Sequence, residues 1–309
     1  MLVIGSLNAD LVMRAPRLPQ PGETVIGATF SVVAGGKGAN QAVAAARLGA
    51  PVAMIGRIGN DAFGALVRGE LSCAGVRTDH VRVDPEAYTG TAQIVVDEDG
   101  HNAIVVASGA NARLEAADVL PDSAWEGARL VVLQLEVPMT SVAASIQKAR
   151  KRQVPVLLNA APAQPLSSEL LEAISWLVVN EVEAGQLAGA PIRSVEEAAA
   201  AARALHHSGK QVVVTLGAAG AICITDSELL HVPAPRVDVI DTTAAGDAFV
   251  GALAAALYRG ASPAIAVREA VVAGSLACTK AGAIPSLPTR AEVEEVIRDP
   301  VSCPEATSK

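Results

Sequence analysis

Short apolar runs rich in β-branched residues and leucine alternate along this chain with longer helical patterns. The runs lie at residues 2–6, 52–56, 130–135, 154–158, 176–179 and 211–216. The helical patterns, in which apolar residues recur three and four apart, lie at 62–74, 139–151, 194–208, 247–259 and 263–279. This alternation predicts an α/β fold with a doubly wound, mostly parallel central sheet and helices on both faces. Ligands are expected at the carboxyl ends of the strands.

Two stretches do not follow this alternation. Residues 23–33 and 91–107 carry extended patterns, and Asp99-Gly100 lies between two apolar runs as a hairpin signal. No internal repeat, low-complexity tract or Pro-rich linker divides the chain. The sequence therefore predicts a small second β-sheet inserted into a single domain, and a frayed tail after Arg298.

The charge of the chain limits its partners. Its 24 Lys and Arg residues against 32 Asp and Glu residues give a formal net charge of −8, without any run of basic residues. We therefore expect no nucleic-acid partner. Small anionic ligands stay possible because helix N-termini bind them inside acidic proteins.

From the residues given, we expect no segment for membrane insertion or export. The first ten residues lack the basic lead of a signal peptide, and no apolar run approaches the roughly 18 residues of a membrane span. The four cysteines form no Cys-x-x-Cys pair, which is typical of a reducing compartment. We expect a cytoplasmic protein with no membrane partner.

Neither standard nucleotide motif is present. The loop around Lys37 lacks the Ser or Thr and the upstream Gly of a Walker loop, and Gln41 stands where the dinucleotide fingerprint needs its third Gly. The five histidines show no metal-ligand spacing, so we interpret them as surface or loop residues.

The run Asp241-Thr-Thr-Ala-Ala-Gly-Asp247 leads directly into an apolar helical pattern. Small residues allow the backbone to approach a ligand, and free N–H groups at a helix start bind phosphate or a developing oxyanion. The residues that would supply these groups are Ala244, Ala245, Gly246 and Asp247. Alternatively, Asp247 merely caps the helix. Capping alone does not explain the whole run of small residues or a second acid six positions earlier.

Two further segments carry polar residues beside glycines. In Gly35-Gly36-Lys37-Gly38-Ala39-Asn40-Gln41, an ammonium and an amide suit hydroxyls or an incoming phosphate. A plain turn would explain Gly-Lys-Gly but not the Asn40-Gln41 pair. Asn8 and Asp10 follow the first strand two residues apart, so they share one face of an extended segment and suit vicinal hydroxyls.

These segments resemble the ribokinase-like family of carbohydrate kinases. GSLNAD at 5–10 and GGKGANQA at 35–42 are similar to its sugar-binding segments, and DTTAAGDAFVGAL at 241–253 is similar to its broader signature. The resemblance runs from about Leu2 to Arg298. It implies transfer of the γ-phosphate of ATP to the 5-hydroxyl of D-ribose, giving D-ribose 5-phosphate. It also implies one kinase domain over 1–309 with a β-sheet lid inserted at about 8–35 and 88–110. The inserted sheet is too small to bury both of its faces alone, so we expect a homodimer formed through the lids. The apolar residues on which this expectation rests include Val25, Phe30, Ile94, Val96, Ile104 and Val106.

The resemblance assigns roles to individual residues. Asp247 resembles the general base, and Ala244, Ala245 and Gly246 the anion hole. The sugar-contacting positions are Asn8, Asp10, Gly36, Lys37, Asn40, Glu136 and Asp247. The positions for ATP and its Mg²⁺ are Asn180, Glu183, Thr215, Gly217, Gly220 and Gly246. A K⁺ site is implied at Asp241, Thr243, Ala277, Lys280, Gly282 and Ser286, several of which would act through backbone carbonyls.

Two positions depart from the family pattern. Val179 replaces a proline before Asn180, and Val271 stands where a His or Asn beside adenine is expected. The second departure leaves adenine to be held by packing, so other nucleotide donors become possible. The acceptor also stays open, because 2-deoxyribose, a nucleoside or another sugar would differ only by small displacements of the same groups. An alternative from another class is a non-catalytic sugar-binding regulator.

Overall fold

The computed structural model describes residues 1–27, 29–99, 101–299 and 307–308. Its strands are β1 (Leu2–Ile4), β2 (Asn8–Arg14), β3 (Thr29–Gly35), β4 (Ala53–Gly59), β5 (Arg77–Asp84), β6 (Gly90–Val96), β7 (Asn102–Ala107), β8 (Val131–Leu133), β9 (Val156–Asn159), β10 (Trp176–Asn180), β11 (Gln211–Thr215), β12 (Ala221–Ile224), β13 (Leu229–Val232) and β14 (Thr307–Ser308). Its α-helices are α1 (Lys37–Arg47), α2 (Ala62–Cys73), α3 (Ala116–Val119), α4 (Met139–Lys151), α5 (Ser168–Glu172), α6 (Glu181–Ala188), α7 (Val195–Leu205), α8 (Ala245–Tyr258), α9 (Pro263–Ala277) and α10 (Arg290–Arg298).

The central sheet has ten strands in the order β14-β13-β12-β11-β10-β9-β8-β1-β4-β5. The seven strands from β11 to β5 run parallel, whereas β12, β13 and β14 add antiparallel strands at one edge. The predicted α/β class with a mostly parallel sheet is confirmed. The antiparallel edge was not anticipated, because its short strands carry no helical connection for the alternation to reveal.

Side chains alternate between two hydrophobic cores, one on each face of the sheet. In β1, Val3 packs into one core, while Leu2 and Ile4 pack into the other. Helices α1, α8 and α9 cover the first face, and α4, α6 and α7 cover the second. This is the expected arrangement for strands that are buried on both sides and therefore apolar throughout.

Helices α1 and α8 approach each other closely. A Cβ atom at Gly251 would lie only 2.4 Å from the Cβ of Ala44 and 2.9 Å from the carbonyl oxygen of Gln41. Glycine and alanine at this crossing bring the two backbones together. Because Gln41 and Asp247 each lie about one turn before the crossing, their side chains meet at the same end of the helix pair.

The second sheet, called the lid sheet below, contains β3-β2-β6-β7 in that order. Strand β2 pairs antiparallel with β3 and parallel with β6, and β6 pairs antiparallel with β7. The extended pattern at 91–107 corresponds to β6 and β7, whereas residues 23–27 form no strand, so the prediction for 23–33 is wrong over its first half. Gly100 of the hairpin signal lies outside the described residues, as does most of the tail after Arg298.

Within the described part of the chain, every helix is too short or too polar to cross a bilayer.

Candidate active site

The first turn of α8 presents a run of small residues to a cleft. Ala244 precedes the helix with φ of 60°, a left-handed conformation that turns the chain sharply into α8. The N–H of Ala245 donates to the carbonyl of Thr242 at 3.2 Å, so it is less available to a ligand than predicted. The amides of Gly246 and Asp247 belong to the first turn and have no intrahelical acceptor. A Cβ at Gly246 would meet nothing within 4 Å, so the space in front of it is open.

Asp247 is 7% exposed, and two amide side chains hold its carboxylate. Asn40 Nδ2 donates to Asp247 Oδ2 at 2.9 Å, and Gln41 Nε2 donates to Asp247 Oδ1 at 2.9 Å. The Oδ1 atom of Asn40 is buried and has no partner among the described residues. A buried acceptor without a donor is costly, so Asn40 Oδ1 is suited to receive a hydrogen bond from a ligand hydroxyl.

Glu136 is held in place by the glycine loop. Its Oε2 atom accepts from Ser6 Oγ at 2.5 Å and from the N–H of Lys37 at 3.1 Å. The negative charge of Asp247 raises the pKa of Lys37, and Glu136 adds to this effect. Lys37 is therefore a cation between two carboxylates. Gly36 has φ of 87°, and a Cβ there would lie 2.9 Å from the backbone nitrogen of Asn8.

Asn8 and Asp10 lie on one face of β2, as predicted, and both are buried. Asn111 orients Asn8 by donating to Asn8 Oδ1 at 2.7 Å, while its own Oδ1 accepts from the N–H of Leu7 at 2.9 Å. Burial raises the pKa of Asp10 to about 7, and the negative charges of Glu136 and Asp247 contribute in the same direction. The ionisation of Asp10 therefore depends on the charges of Glu136 and Asp247.

A cleft of about 1040 Å³ opens beside the first turn of α8. Its lining includes Thr215, Gly217, Gly220 and Gly246, four of the positions assigned to ATP. Much of the rest is apolar, including Val237, Val239, Ile240, Phe249 and Val271. The glycines provide backbone for phosphate, and the apolar side chains provide a surface for a flat ring.

Asn180 and Glu183 form a reciprocal cap at the start of α6. Asn180 Oδ1 accepts from the N–H of Glu183 at 2.8 Å, and Glu183 Oε2 accepts from the N–H of Asn180 at 2.9 Å. Neither residue lines the cleft beside α8. Burial raises the pKa of Glu183, whereas its hydrogen bond from Asn180 and the charge of Lys37 act against the shift.

The residues assigned to a cation meet where two loops touch. Asp241 Oδ2 accepts from the N–H of Gly282 at 2.9 Å, and Asp241 Oδ1 accepts from Thr243 Oγ1 at 2.6 Å. Burial opposes ionisation of Asp241, but the hydrogen bonds from Thr243 and Gly282 outweigh it and lower the pKa. The guanidinium of Arg14, at the end of lid strand β2, lies 3.5 Å from Asp241 Oδ2.

The other three positions assigned to the cation are Ala277, Lys280 and Ser286, and they differ in which of their atoms are available to an ion. The N–H of Lys280 lies 3.5 Å from the carbonyl of Ala277, and Ser286 Oγ donates to the carbonyl of Ala283 at 2.8 Å. The ammonium of Lys280 points to Glu292, at 2.6 Å, so only the backbone of Lys280 is available to the loop.

Sequence reasoning missed several buried polar residues that hold the side chains of the candidate site. Gln41 was noticed but received no role, while Ser6, Asn111, Gln134 and Asn159 were not singled out. A usable signal existed for two of them. Gln134 interrupts the apolar run LVVLQL, and Asn159 ends the apolar run VLLN. A polar residue in an otherwise apolar strand is buried, and a buried polar group requires a partner.

This chain is similar over most of its length to known carbohydrate kinases. Residues 1–290 match the model of the pfkB family carbohydrate kinases. Ribokinase of Haemophilus influenzae is 40% identical over 299 residues, which cover 96% of this chain and 98% of the relative. Deoxyribokinase of Salmonella typhimurium is 36% identical over 300 residues, covering 96% and 97%.

A solved structure of Arabidopsis thaliana ribokinase complexed with ribose and ATP is similar to this chain. The TM-score is 0.88 at 36% identity, with 96% of this chain and 98% of the other covered. The resemblance read from the three motifs is thus confirmed over nearly the whole sequence. The chain belongs to the pfkB family of carbohydrate kinases.

Proposed function

We propose that this protein is an ATP-dependent ribokinase that transfers the γ-phosphoryl group of ATP to the 5-hydroxyl of D-ribose. One observation carries the proposal. The buried carboxylate of Asp247 accepts a hydrogen bond from Asn40, acts together with Glu136 on the pKa of Asp10, and directly follows Gly246, which lines a cleft with Gly217 and Gly220. The chain is also similar over nearly its full length to proteins named ribokinase.

The arrangement supports in-line transfer with Asp247 as the base. The sugar hydroxyl loses its proton to Asp247, its oxygen bonds to the γ-phosphorus, and the bond from that phosphorus to the bridging oxygen of ADP breaks. The amides of Gly246 and Asp247 face the developing charge on the phosphoryl oxygens. Lys37 offsets the negative charge that accumulates between Asp247 and the phosphates.

The polar side chains near Asp247 offer complementary groups to a sugar. Asn40 Oδ1 is an acceptor that receives no donor from the part of the chain that the structure describes, and Asp10 and Glu136 are carboxylates that accept from vicinal hydroxyls. Asn8 and the ammonium of Lys37 add donors. Gly36 allows the loop to approach the sugar closely. In this proposal, all of the assigned sugar positions contact the same sugar molecule.

The cleft beside α8 is proposed to hold ATP with its Mg²⁺. Thr215, Gly217 and Gly220 would hold the phosphates and ribose by polar contacts, and the apolar wall that includes Val271 would hold adenine by packing. Magnesium usually keeps several waters and one or two carboxylates beside the substrate phosphates. Glu183, whose Oε1 is not used by the α6 cap, is suited to order such a water, with Asn180 holding its backbone.

We propose that the loop pair around Asp241 binds K⁺. Carboxylate, hydroxyl and backbone carbonyl oxygens are ligands that hard cations prefer, and the bond from Gly282 to Asp241 already brings the two loops together. Asp241 would contribute its carboxylate and Ser286 its hydroxyl, whereas Thr243, Ala277, Lys280 and Gly282 would contribute carbonyls. Such an ion would stabilise the loop that leads into the first turn of α8.

The lid sheet is proposed to mediate a homodimer. The sheet exposes large apolar side chains on both faces, and four strands cannot bury both faces alone. Met13, Phe30 and Val105 lie on one face, whereas Ile104 and Val106 lie on the face that also carries Asn8 and Asp10. We also propose a cytoplasmic location, which the free thiols of Cys73, Cys223 and Cys278 support.

A second acceptor, 2-deoxyribose, has specific support because a deoxyribokinase is 36% identical over nearly the same length. The experiment is a coupled assay of ADP release with D-ribose, 2-deoxyribose and adenosine at equal concentrations. Ribose should give the highest kcat/KM, and phosphorus NMR should identify the product as the 5-phosphate. A higher value for either other acceptor would reassign the substrate. Saturable ribose binding without ADP release would favour the non-catalytic sugar-binding regulator.

A further inference from the structure

A chain of three buried amides is hydrogen-bonded to Asp247. Gln134 Nε2 donates to Gln41 Oε1 at 2.6 Å, and Gln41 Nε2 donates to Asp247 Oδ1 at 2.9 Å. Gln41 Nε2 also donates to Asn159 Oδ1 at 3.0 Å. Gln41 and Gln134 are both 0% exposed. Neither glutamine lines the cleft, so both act on Asp247 from within the protein interior.

The pattern of donors and acceptors allows Gln41 only one orientation. Its two N–H bonds point to two oxygens, Asp247 Oδ1 and Asn159 Oδ1, while its oxygen receives an N–H from Gln134. A flipped amide would face oxygen against both of those oxygens and NH₂ against the NH₂ of Gln134. Gln134 therefore acts together with Asn159 to select which end of Gln41 faces the carboxylate.

Asn159 is also oriented independently of Gln41. Its Nδ2 donates to the carbonyl of Val178 at 3.3 Å, on the neighbouring strand β10, so its Oδ1 faces Gln41. The amide of Gln41 is thus fixed from two sides, by a strand-end asparagine and by a strand-end glutamine.

Packing alone does not account for Gln134. Its Oε1 is buried without a partner among the described residues, and a Cβ at Gly5 would lie 1.8 Å from that oxygen. A methionine of similar length would fill the same volume without leaving an acceptor unpaired. Unlike methionine, glutamine at position 134 supplies the N–H that is donated to Gln41.

We propose that Gln134 and Gln41 form a positioning relay, in which Gln134 orients Gln41 and Gln41 holds the plane of the Asp247 carboxylate for proton abstraction from the sugar hydroxyl. The inference rests on the proposed function. Asn40 holds the second oxygen, Oδ2, so the two amides together determine the rotation of the carboxylate. Correct orientation of a reacting group affects the transition state more than the binding of either substrate.

The test is a double-mutant cycle on the full-length protein with Gln41→Met, Gln134→Met and the double variant. We expect Gln41→Met to lower kcat by about 10–100-fold, with KM for ribose and for ATP within threefold of wild type. Gln134→Met should lower kcat by about 3–10-fold in the wild-type background and have no further effect beside Gln41→Met, because it acts only through Gln41.

Ser141→Ala is the matched control for destabilisation. Ser141 is likewise 0% exposed, and its hydroxyl donates to the carbonyl of Leu114 at 2.7 Å rather than to one of the three amides. It should lower the melting temperature without changing kcat at 25 °C. If Gln41→Met does not fold, Gln134→Met and Gln41→Asn, which keeps the amide on a shorter side chain, still test the relay. Both must lower kcat with KM preserved.

Three results would overturn the relay while leaving the proposed function intact. They are an unchanged kcat in both single variants, equal losses from Gln134→Met in the two backgrounds, and an effect on KM alone. If another sugar proves to be the acceptor, the cycle is measured with that sugar and has the same outcomes. A wild-type protein that phosphorylates no sugar would refute the proposed function and the relay together.

Discussion

Asn40 and Asp247 are 207 positions apart in the sequence, yet the amide of Asn40 donates to the carboxylate of Asp247 at 2.9 Å. The contact joins the first turn of α1 to the first turn of α8. It places Asn40 Oδ1, the acceptor proposed for a sugar hydroxyl, on the same side chain that holds the proposed base. The two glycine-containing loops are thus parts of one site.

Replacing the base tests this arrangement directly. Asp247→Asn should lower kcat by about 10²–10⁴-fold, because the amide keeps the shape of the side chain but takes no proton. Ribose binding, followed by calorimetry, should change little. A variant whose kcat stays within threefold of wild type would remove Asp247 from the mechanism.

The raised pKa of Asp10, about 7, predicts a pH-dependent affinity for the sugar. Below pH 7 the carboxyl is protonated and accepts hydroxyl hydrogen bonds less well, so KM for ribose should rise as pH falls from 8 to 6. Asp10→Asn should weaken binding at pH 8 and remove most of this pH dependence. A wild-type KM that stays constant over this range would contradict the prediction.

The same residue predicts how the stability of the ligand-free protein varies with pH. The folded pKa of Asp10 lies above the ordinary 3.8, so between about pH 4 and 7 the folded state binds more protons than the unfolded state. Its contribution to the free energy of unfolding therefore falls as pH rises through this window. Urea unfolding of wild type and Asp10→Asn should differ by a slope of this sign, and an opposite or absent slope would contradict it.

The Gly246→Ala variant should keep its stability but lose activity. A Cβ there would meet nothing within 4 Å, and alanine favours a helix over glycine by about 1 kcal/mol, so the variant should be at least as stable as wild type. Its methyl group would project into the cleft where phosphate approaches, so kcat/KM for ATP should fall at least tenfold. Gly69→Ala in α2, also without a neighbour within 4 Å, is the control that should leave activity unchanged. Equal activity of both variants would show that phosphate does not approach Gly246.

Charge on the lid sheet should dissociate the proposed dimer. Val105 is 70% exposed, and Val105→Glu would place a carboxylate in an apolar interface. Light scattering at micromolar concentration should give twice the chain mass for wild type and the chain mass for the variant. Ile265→Glu, at a 54% exposed position on α9, should remain dimeric. A monomeric wild-type protein would refute the dimer.

The proposed cation site predicts a dependence on K⁺. At constant ionic strength, kcat should be higher in K⁺ than in Na⁺ or a bulky ammonium salt, because the ion would hold the loop before α8 in place. Asp241→Ala should reduce this difference. Equal rates in the three salts would rule out the site.

The sequence by itself determined the fold class and the three site segments. Alternation of apolar runs and amphipathic helices is a local pattern, and it requires a sheet that is covered on both faces. Glycine-rich segments at helix starts are also local, so Lys37, Asn40 and Asp247 were recognisable as a group of anion- and hydroxyl-binding residues. The resemblance of the three segments to a kinase family extended the prediction to the roles of individual residues.

Only the tertiary structure decided which groups act on one another. The crossing of α1 and α8 at Gly251 and Ala44 brings Gln41 to Asp247. A local sequence pattern cannot predict this contact, because the two residues are 206 positions apart in the sequence. The pairing of β2 with both β3 and β6 likewise places Asn8 opposite Gly35 and Gly90. Burial of Asp10 beside two other carboxylates raises its pKa, because desolvation and electrostatic repulsion depend on distances in space rather than on position in the sequence.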